Sequence, residues 1–534
     1  MNTKRSLHGL DRFFLSAFLL ATGIGAALVM LTYDAWPLKI VSIGMFPNLV
    51  WTAAIAAAVC MGVRHFGKRQ PQCVPMREKG ALGFGAMLGM TAAVFILQAL
   101  IYSQIYRAQM HDAKIVLNAA YCNAMGYPQY RDTVYFDTCP NNLFLLAMET
   151  LLLSLPKALL GMELGMERCT LLLVLLQCAI NAASGFAVML LARRVMLDSG
   201  AQAGDADRAA LFAWGLWLLL IGMSAWISVI YSDSMTVLLP VLFLLLYAHR
   251  GEGRRALAVY ALIGLLGGAA YRMKPQSSLA MIAILIVDGA ALLVKRMQAK
   301  AFIPRMAAML ACAALLIGPG TKLAARISDM EPDPEMAFGM THYLNLGLNA
   351  DTHGIFSPDD VGLSMSVTTS AERTQLNLQT AKERLERMGA KGFVVHLWDK
   401  AMINFADGSF QLDDFASVSR EGTSGAGKAL ESVFHHDGAY HPLLHTAQQG
   451  AWIFVLMMCP FAALAFCAMR RVKKPGADTL LAMMLTVVGV MLFNMMFEVR
   501  GRCIFSNAPV MIVLAIVGFS ALMRRAKEKA NQPG

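Results

Sequence analysis

The stretch LGFGAMLGMTAAVFILQALIYSQI (residues 82–105) contains no charged residue, and as a helix it is long enough to cross roughly 30 Å of hydrocarbon. Comparable apolar runs occupy residues 13–32, 211–230 and 508–523. The whole chain is 57% hydrophobic and 15% charged, whereas about 25% of the residues in a soluble domain are charged. The sequence therefore predicts an all-α polytopic membrane protein.

The apolar runs divide the chain into twelve predicted transmembrane helices. These lie near residues 13–33, 43–63, 82–104, 168–192, 209–230, 235–249, 256–271, 276–294, 305–325, 449–469, 479–497 and 505–523. With the amino terminus inside, basic residues concentrate in the inner loops, including Arg193, Arg194, Arg470 and Arg471. The short outer loops carry only Lys39, Arg272, Lys274, Arg500 and Arg502. This asymmetry predicts a plasma-membrane protein with both termini in the cytoplasm. It also explains the net charge of +11 without a nucleic-acid partner.

Two hydrophilic stretches remain on the predicted outer side. An outer loop (105–167) includes the apolar segment 142–161, which we interpret as a juxtamembrane or re-entrant helix because its Glu149, Pro156 and Lys157 suit an interface. We expect three units: a transmembrane module with this loop (1–325), a small extracytoplasmic domain (326–448) and the last transmembrane helices (449–534). Cys122 and Cys139 both lie on the predicted outer side, and the sequence leaves open whether they form a disulfide.

Several polar residues of the outer side are candidates for chemistry. Asp112 follows a predicted span closely, although an isolated aspartate is most often a solvated loop residue. The basic residues Arg272, Lys274, Arg500 and Arg502 could bind phosphate or could reach lipid headgroups. The histidine-rich stretch FHHDGAYHPLLH brings together His435, His436, Asp437, His441 and His445. It matches no structural zinc spacing, which favours a solvated acceptor-binding or structural loop over a metal site.

The order of these motifs resembles the GT-C superfamily of membrane glycosyltransferases, which includes protein O-mannosyltransferases and lipid A aminoarabinose transferases. His111-Asp112, the stretch from Tyr135 to Asn142, and Arg193-Arg194 occupy the corresponding places. Residues 230–234 (IYSDS) and 271–276 (YRMKPQ) lie at outer span ends, and EVRGRCIFSNAPVMIVLA (498–515) is similar to the terminal motif of the superfamily. Cys139-Pro140-Asn141-Asn142 replaces the usual double proline, and Cys503 stands where tyrosine is usual. The strings THYLNLGLN (341–349) and LWDKAMINFADGSF (397–410) resemble a group of Gram-positive bacterial GT-C-like membrane proteins.

The resemblance implies transfer of a sugar from a polyprenyl-phosphate lipid to an extracytoplasmic glycan or protein of the cell envelope. Asp112 would be the general base of an inverting, metal-independent reaction that needs no cofactor, with His111 tuning it. The donor phosphate would be held by Arg272, Lys274, Arg500 and Arg502. Supporting roles fall to Glu498, Tyr231 and Asp233. His435, His436, Asp437 and His441 remain candidates for binding the acceptor.

Two other functions stay open. A polysaccharide polymerase or ligase would use glycans linked to polyprenyl diphosphate. A transporter or flippase would need polar residues at mid-membrane depth, for which Asp288 is the main candidate.

Overall fold

The structure is a computed structural model that describes residues 7–31, 48–68, 82–106, 109–411, 425–435 and 437–530. Within these ranges all regular elements are helices, and no strand occurs. Lys39, His436 and the predicted span ends at 32–33 and 43–47 lie outside the described residues.

The helices are numbered here in chain order. Those of the first half are α1 (Gly9–Leu31), α2 (Asn48–Lys68), α3 (Phe84–Ile105), α4 (His111–Met125), α5 (Thr133–Thr138), α6 (Leu143–Leu160), α7 (Met166–Asp198), α8 (Ala203–Trp217), α9 (Ser232–Met235), α10 (Leu239–Ala248), α11 (Gly253–Met273) and α12 (Leu279–Leu293). Those of the second half are α13 (Ala299–Ile317), α14 (Pro319–Ser328), α15 (Met340–Gly347), α16 (Pro358–Met365), α17 (Ser370–Phe405), α18 (Gly425–Phe434), α19 (His441–Met458), α20 (Ala462–Arg471), α21 (Gly476–Met496), α22 (Arg502–Phe505) and α23 (Ala508–Ala530).

Ten helical segments of the described chain are long and apolar enough to cross a membrane. They are Gly9–Ala27, Phe84–Ile105, Pro140–Leu160, Met166–Asp198, Gly253–Met273, Pro275–Leu293, Ala299–Ser328, His441–Arg471, Gly476–Met496 and Ala508–Lys529. Two shorter apolar helices, Asn48–Arg64 and Ser232–Ala248, bring the number close to the predicted twelve. The predicted all-α, polytopic membrane architecture is confirmed.

The predicted span 209–230 is wrong in its second half. α8 passes into a π-helical turn at Leu218–Gly222, and a separate 3-10 turn follows at Ala225–Ser228. The Ser224 hydroxyl accepts from the Trp226 amide and caps that turn. Trp226 is fully buried. The apolar character of this stretch therefore reflects burial inside the protein, which hydrophobicity alone does not distinguish from contact with lipid.

The segment 142–161 forms α6, which ends at Gly161 in the left-handed region (φ 64°). It packs along α4 and α14. Glu149 is fully buried, and neither of its carboxyl oxygens has a hydrogen-bond partner in the described chain. Burial inside the protein does not give the depth of a residue in the membrane, so the interfacial position of Glu149 stays a prediction. The length and composition of α6 also suit a transmembrane helix, so the juxtamembrane interpretation stays a prediction.

A group of four charged residues joins several helices at the start of α21. It consists of Asp11, Arg296, Arg470 and Asp478, and we name it the clamp cluster. Each arginine contacts both aspartates, at N···O distances of 2.9–3.4 Å. α21 then runs for roughly 30 Å at 1.5 Å per residue. Its other end leads into Glu498, so the two ends of this helix lie in different polar surroundings.

The long hydrophilic segment 326–448 contains α15 to α18. Its predicted helix over 371–389 is confirmed as the first part of α17, which begins with a capping box formed by Thr369 and Glu372. Gly389 (φ 58°) kinks this helix. The second part of α17 ends in buried residues such as Phe405, which contact the helical bundle. The division of the chain into three units stays a prediction.

Candidate active site

Asp112 lies in the first turn of α4, where a carboxylate is favoured by the positive end of the helix dipole. His111 has a left-handed backbone (φ 49°) and turns the chain into the helix. The Tyr231 hydroxyl donates to Asp112 Oδ2 at 3.1 Å. Burial raises the pKa of Tyr231 well above its usual value, so its hydroxyl remains a donor.

The segment that carries Tyr231 is fixed by Gln109. Its Oε1 accepts from the Ile230 amide at 2.7 Å, and its Nε2 donates to the Ser228 carbonyl at 2.9 Å. A single buried side chain thus satisfies two peptide groups in the non-helical stretch before α9. This bridge sets the backbone from which Tyr231 reaches Asp112.

A second polar side chain, Asn142, joins the same network from the start of α6. Its Nδ2 donates to the Tyr135 hydroxyl at 2.6 Å and to the Tyr231 hydroxyl at 3.3 Å. Asn142 is 2% exposed. Tyr135 and Asn142 of the first hydrophilic loop are therefore linked to Asp112 through the Tyr231 hydroxyl.

Three charged residues from distant parts of the sequence meet beside this network. Lys274 lies between α11 and the turn that starts at Pro275, and its ammonium donates to Asp233 Oδ1. Arg502 Nε lies 4.0 Å from Asp233 Oδ2. The Arg502 guanidinium carbon also lies 5.6 Å from the centre of the Tyr231 ring. Asp233 and Tyr231 thus connect Lys274 and Arg502 to Asp112.

Glu498 completes the group from the loop after α21. Burial raises the pKa of Glu498, and the nearby charge of Asp112 adds to the rise. The charges of Arg502, Arg500 and Lys274 oppose the rise without cancelling it. We name this group the Asp112 cluster: Asp112, Tyr231, Asp233, Lys274, Glu498, Arg500 and Arg502.

Arg272 is the one predicted phosphate ligand that the structure does not connect to the cluster. It occupies the last turn of α11, and its Nε is buried without a hydrogen-bond partner in the described chain. Successive helical residues point in different directions, so residues 272 and 274 need not face the same side. A role for Arg272 in phosphate binding stays a prediction.

The histidine-rich stretch makes no described direct contact with Asp112, and His445 is linked to the loop that carries Arg500 and Arg502 through Asp407 and Gln411. His435, His441 and His445 are buried, so the expected solvated loop is wrong for them, while Asp437 is exposed. His445 Nε2 lies 2.9 Å from Asp407 Oδ1, and the rings of His441 and His445 stack. Across the described residues no three His, Cys, Asp or Glu side chains are grouped as metal ligands. A role for this stretch in acceptor binding stays a prediction.

The thiols of Cys122 and Cys139 are both free, so the disulfide left open by the sequence is not formed in this structure. Burial raises the pKa of Cys139 to about 12, with Asp112 adding to the rise. Cys139 therefore stays protonated close to the Asp112 cluster.

Sequence reasoning missed the roles of Tyr135, Asn142 and Gln109 in arranging the cluster. Tyr135 and Asn142 stand in the stretch that replaces the double-proline motif, and this position was the available signal. Gln109 gave no signal, because a lone glutamine after an apolar run has no characteristic spacing.

Comparison with known proteins gives a family and a distant likeness to solved structures. The model of a family described as "conserved hypothetical integral membrane protein" matches residues 17–522. No curated protein matches the chain. Among solved structures, the archaeal oligosaccharyltransferase AglB from Archaeoglobus fulgidus, in complex with an inhibitory peptide and a dolichol-phosphate, is 15% identical with a TM-score of 0.41. The match covers 83% of this chain and 52% of that chain, so the present chain spans about half its length.

The family match extends over nearly all the helices described above, including α4, α9 and α22, which carry Asp112, Asp233 and Arg502. This chain belongs to the family of conserved hypothetical integral membrane proteins.

Proposed function

We propose that the protein is a glycosyltransferase that moves a sugar from a polyprenyl-phosphate lipid to an extracytoplasmic acceptor of the cell envelope. The observation that supports this most is the contact of Asp112 with Tyr231, whose ring lies beneath the Arg502 guanidinium. A carboxylate for proton transfer and a cation for phosphate are thereby neighbours. Sugar transfer from a lipid phosphate requires both groups in one site.

In the proposed reaction, an acceptor hydroxyl oxygen attacks the anomeric carbon while its proton passes to Asp112. The bond between the anomeric carbon and the phosphate oxygen breaks, and its electron pair leaves with the polyprenyl phosphate. Attack from the face opposite the leaving group inverts the anomeric configuration. Arg502, Arg500 and Lys274 would stabilise the charge that grows on the phosphate.

The charge balance of the cluster favours a monophosphate donor over a diphosphate donor. Three cations (Lys274, Arg500, Arg502) face three carboxylates (Asp112, Asp233, Glu498). Burial and the charge of Asp112 raise the pKa of Glu498, and when this carboxyl is protonated the cluster carries one excess positive charge. A sugar linked to polyprenyl monophosphate carries one negative charge at its phosphodiester and would compensate that excess. A diphosphate carries two.

The contacts of Asp288, the main candidate residue of the transporter alternative, argue against that function. Asp288 accepts from the hydroxyls of Tyr247 and Tyr260, at 2.6 Å in the first case. The guanidinium of Arg250 lies over the Tyr247 ring at 4.0 Å. These contacts satisfy Asp288 within the fold, as expected of a structural residue.

The transferase proposal is tested by comparing lipid-linked sugars and envelope polymers between cells with and without the protein. Purified protein and a defined polyprenyl-phosphate sugar should then reproduce the missing transfer. Accumulation of an unused sugar lipid in the deletion strain is expected. Normal amounts of both lipids and polymers would contradict the proposal.

The proposed orientation places the Asp112 cluster outside and the clamp cluster in the cytoplasm. Its support is the concentration of Lys and Arg in the loops on the clamp-cluster side. Ser366→Cys and Glu252→Cys, each at an exposed position in a cysteine-free background, provide a matched pair. An impermeant thiol reagent should label only position 366 in intact cells. Labelling of position 252 alone would show that the orientation is the reverse of the proposed one.

A further inference from the structure

The loop Phe497–Arg502, which we name the arginine loop, carries Glu498, Arg500 and Arg502 into the Asp112 cluster. It begins where α21 ends at Met496, and Phe497 has an extended backbone (φ −101°, ψ −179°). Its first peptide groups therefore lack the partners that a helix would supply. In a buried position such groups need partners from elsewhere in the protein.

Those partners come from one part of the chain, the scaffold segment from Tyr343 to Gln411. The contacts are Lys400 Nζ to the Phe497 carbonyl (2.7 Å), the Glu498 amide to the Tyr343 carbonyl (3.1 Å), the Val499 amide to the Gly354 carbonyl (2.9 Å) and the Gly501 amide to Gln411 Oε1 (2.5 Å). Three of the five peptide units between Phe497 and Arg502 are thus held by the scaffold segment.

Two glycines permit the close approach of the two segments. A Cβ at Gly347 would lie 2.5 Å from the Met496 carbonyl oxygen, and one at Gly501 would lie 2.8 Å from Gln411 Cγ. Real Cβ atoms do not occupy such positions without movement of their neighbours. The loop is therefore seated against the scaffold segment at both of its ends.

Lys400 forms the contact at the beginning of the loop. Its side chain is fully buried, and its ammonium donates to the Gly347 and Phe497 carbonyls at 2.8 and 2.7 Å. Burial lowers the pKa of Lys400 to about 7. Burying a lysine in this way costs free energy. In this position its ammonium bridges the Gly347 carbonyl at the end of α15 and the Phe497 carbonyl of the arginine loop.

Gln411 forms the contact at the end of the loop from a strained backbone. Phe410 (φ 62°) and Gln411 (φ 55°) are consecutive left-handed residues that are not glycine, a backbone conformation that costs free energy. The Asp407 carboxylate supports the turn by accepting from the amides of Ser409 and Gln411, each at 2.8 Å. Although burial by itself raises the pKa of Asp407, its bonds to His445 and Ser409 lower that pKa to about 2.

We propose that the scaffold segment positions the arginine loop, with Lys400 and Gln411 as the positioning residues, and thereby determines the affinity of the Asp112 cluster for an anionic lipid. The ligand in this statement rests on the proposed function. The positioning role does not rest on the proposed function, because it concerns only the contacts between the scaffold segment and the arginine loop. Removing the Gln411 acceptor releases the Gly501 amide next to both arginines, without removing any charge.

The test compares Gln411→Met with Gln448→Met in the full-length, detergent-purified protein. Gln448 is a buried glutamine that bonds to the Leu219 carbonyl and makes no described contact with the arginine loop. Hydrogen exchange of peptides covering residues 497–505 should become about tenfold faster in Gln411→Met, with α21 and α23 unchanged. Affinity for the phosphodiester farnesyl methyl phosphate should fall about tenfold. The control should alter neither.

The two measurements separate the two proposals. Unchanged exchange over residues 497–505 in Gln411→Met would overturn the positioning role, whatever the protein binds. Faster exchange throughout the bundle would also overturn it, because Gln411 would then serve general stability. Failure of the wild-type protein to bind the phosphodiester, together with the expected local change in exchange, would count against the proposed donor and leave the positioning role standing.

Discussion

The two ends of α21 carry two clusters that are similar in charge and different in construction. In the clamp cluster, two arginines and two aspartates contact each other directly and leave a balanced, closed group. In the Asp112 cluster, Asp233 pairs directly with Lys274, whereas Asp112 accepts from the Tyr231 hydroxyl and the pKa of Glu498 is raised. A closed ion-pair group suits the joining of helices. An open group with a carboxylate beside cations suits the binding and reaction of an anion.

The largest effect among single changes to the cations is expected at Arg502. Arg502→Lys keeps the charge and loses the planar guanidinium that lies near both Asp233 and Tyr231. Turnover with a defined polyprenyl-phosphate sugar should fall about 10²-fold, as for loss of a group that stabilises developing charge. The matched change in the clamp cluster, Arg470→Lys, should leave turnover per folded molecule unaltered. Equal losses in the two variants would remove the distinction between the clusters.

A smaller effect is expected at Tyr231. Tyr231→Phe removes the hydroxyl that donates to Asp112 and preserves the ring beneath Arg502. At the lower end of its usual range, a hydrogen bond to a charged group contributes about 1.5 kcal/mol, so turnover should decrease about tenfold with little change in donor affinity. Tyr440→Phe, at an exposed tyrosine, is the control. A donor affinity that falls as much as turnover would instead assign Tyr231 to phosphate binding.

The smallest effect concerns pH and Glu498. Because the pKa of Glu498 is raised by burial and by Asp112, the folded protein holds this proton at pH values above the usual range for glutamate. Protonation removes a negative charge, so the affinity for farnesyl methyl phosphate should rise several-fold as the pH falls through that window. Glu498→Gln should bind with the higher affinity at all these pH values. If the affinity of Glu498→Gln depended on pH as steeply as that of the wild-type protein, the pH dependence would belong to another group.

The sequence was sufficient for the helical membrane architecture, because long apolar runs have few alternatives in a bilayer. It also indicated Asp112, Lys274 and Arg502, because charged residues next to apolar spans are rare enough to single out. It could not separate Arg272 from Lys274. Which of two basic residues at a helix end faces inward depends on how α11 ends before Pro275, and that is decided by tertiary packing.

Other errors have the same origin. The run 211–230 was assigned to one span because hydrophobicity does not distinguish a lipid-facing helix from a buried π-helical and 3-10 segment. The stretch that replaces the double-proline motif marked Tyr135 and Asn142, but the bond between Asn142 and Tyr231 joins residues 89 positions apart, and no local pattern predicts it. The division that sets residues 326–448 apart stays a prediction, and the bonds of the scaffold segment to the arginine loop are long-range contacts that no local pattern predicts.

The central claim is that the Asp112 cluster is the reactive site and the clamp cluster is structural. Asp112→Asn and Asp11→Asn, measured together for turnover with a defined polyprenyl-phosphate sugar and for thermal unfolding, test it most directly. Asp112→Asn should lose about 10²–10⁴ in turnover, as for a missing general base, and unfold like wild type. Asp11→Asn should lose about 2 kcal/mol of stability, because it removes the buried one of the two carboxylates that pair with Arg296 and Arg470, with normal turnover per folded molecule. Wild-type turnover by Asp112→Asn would contradict the account.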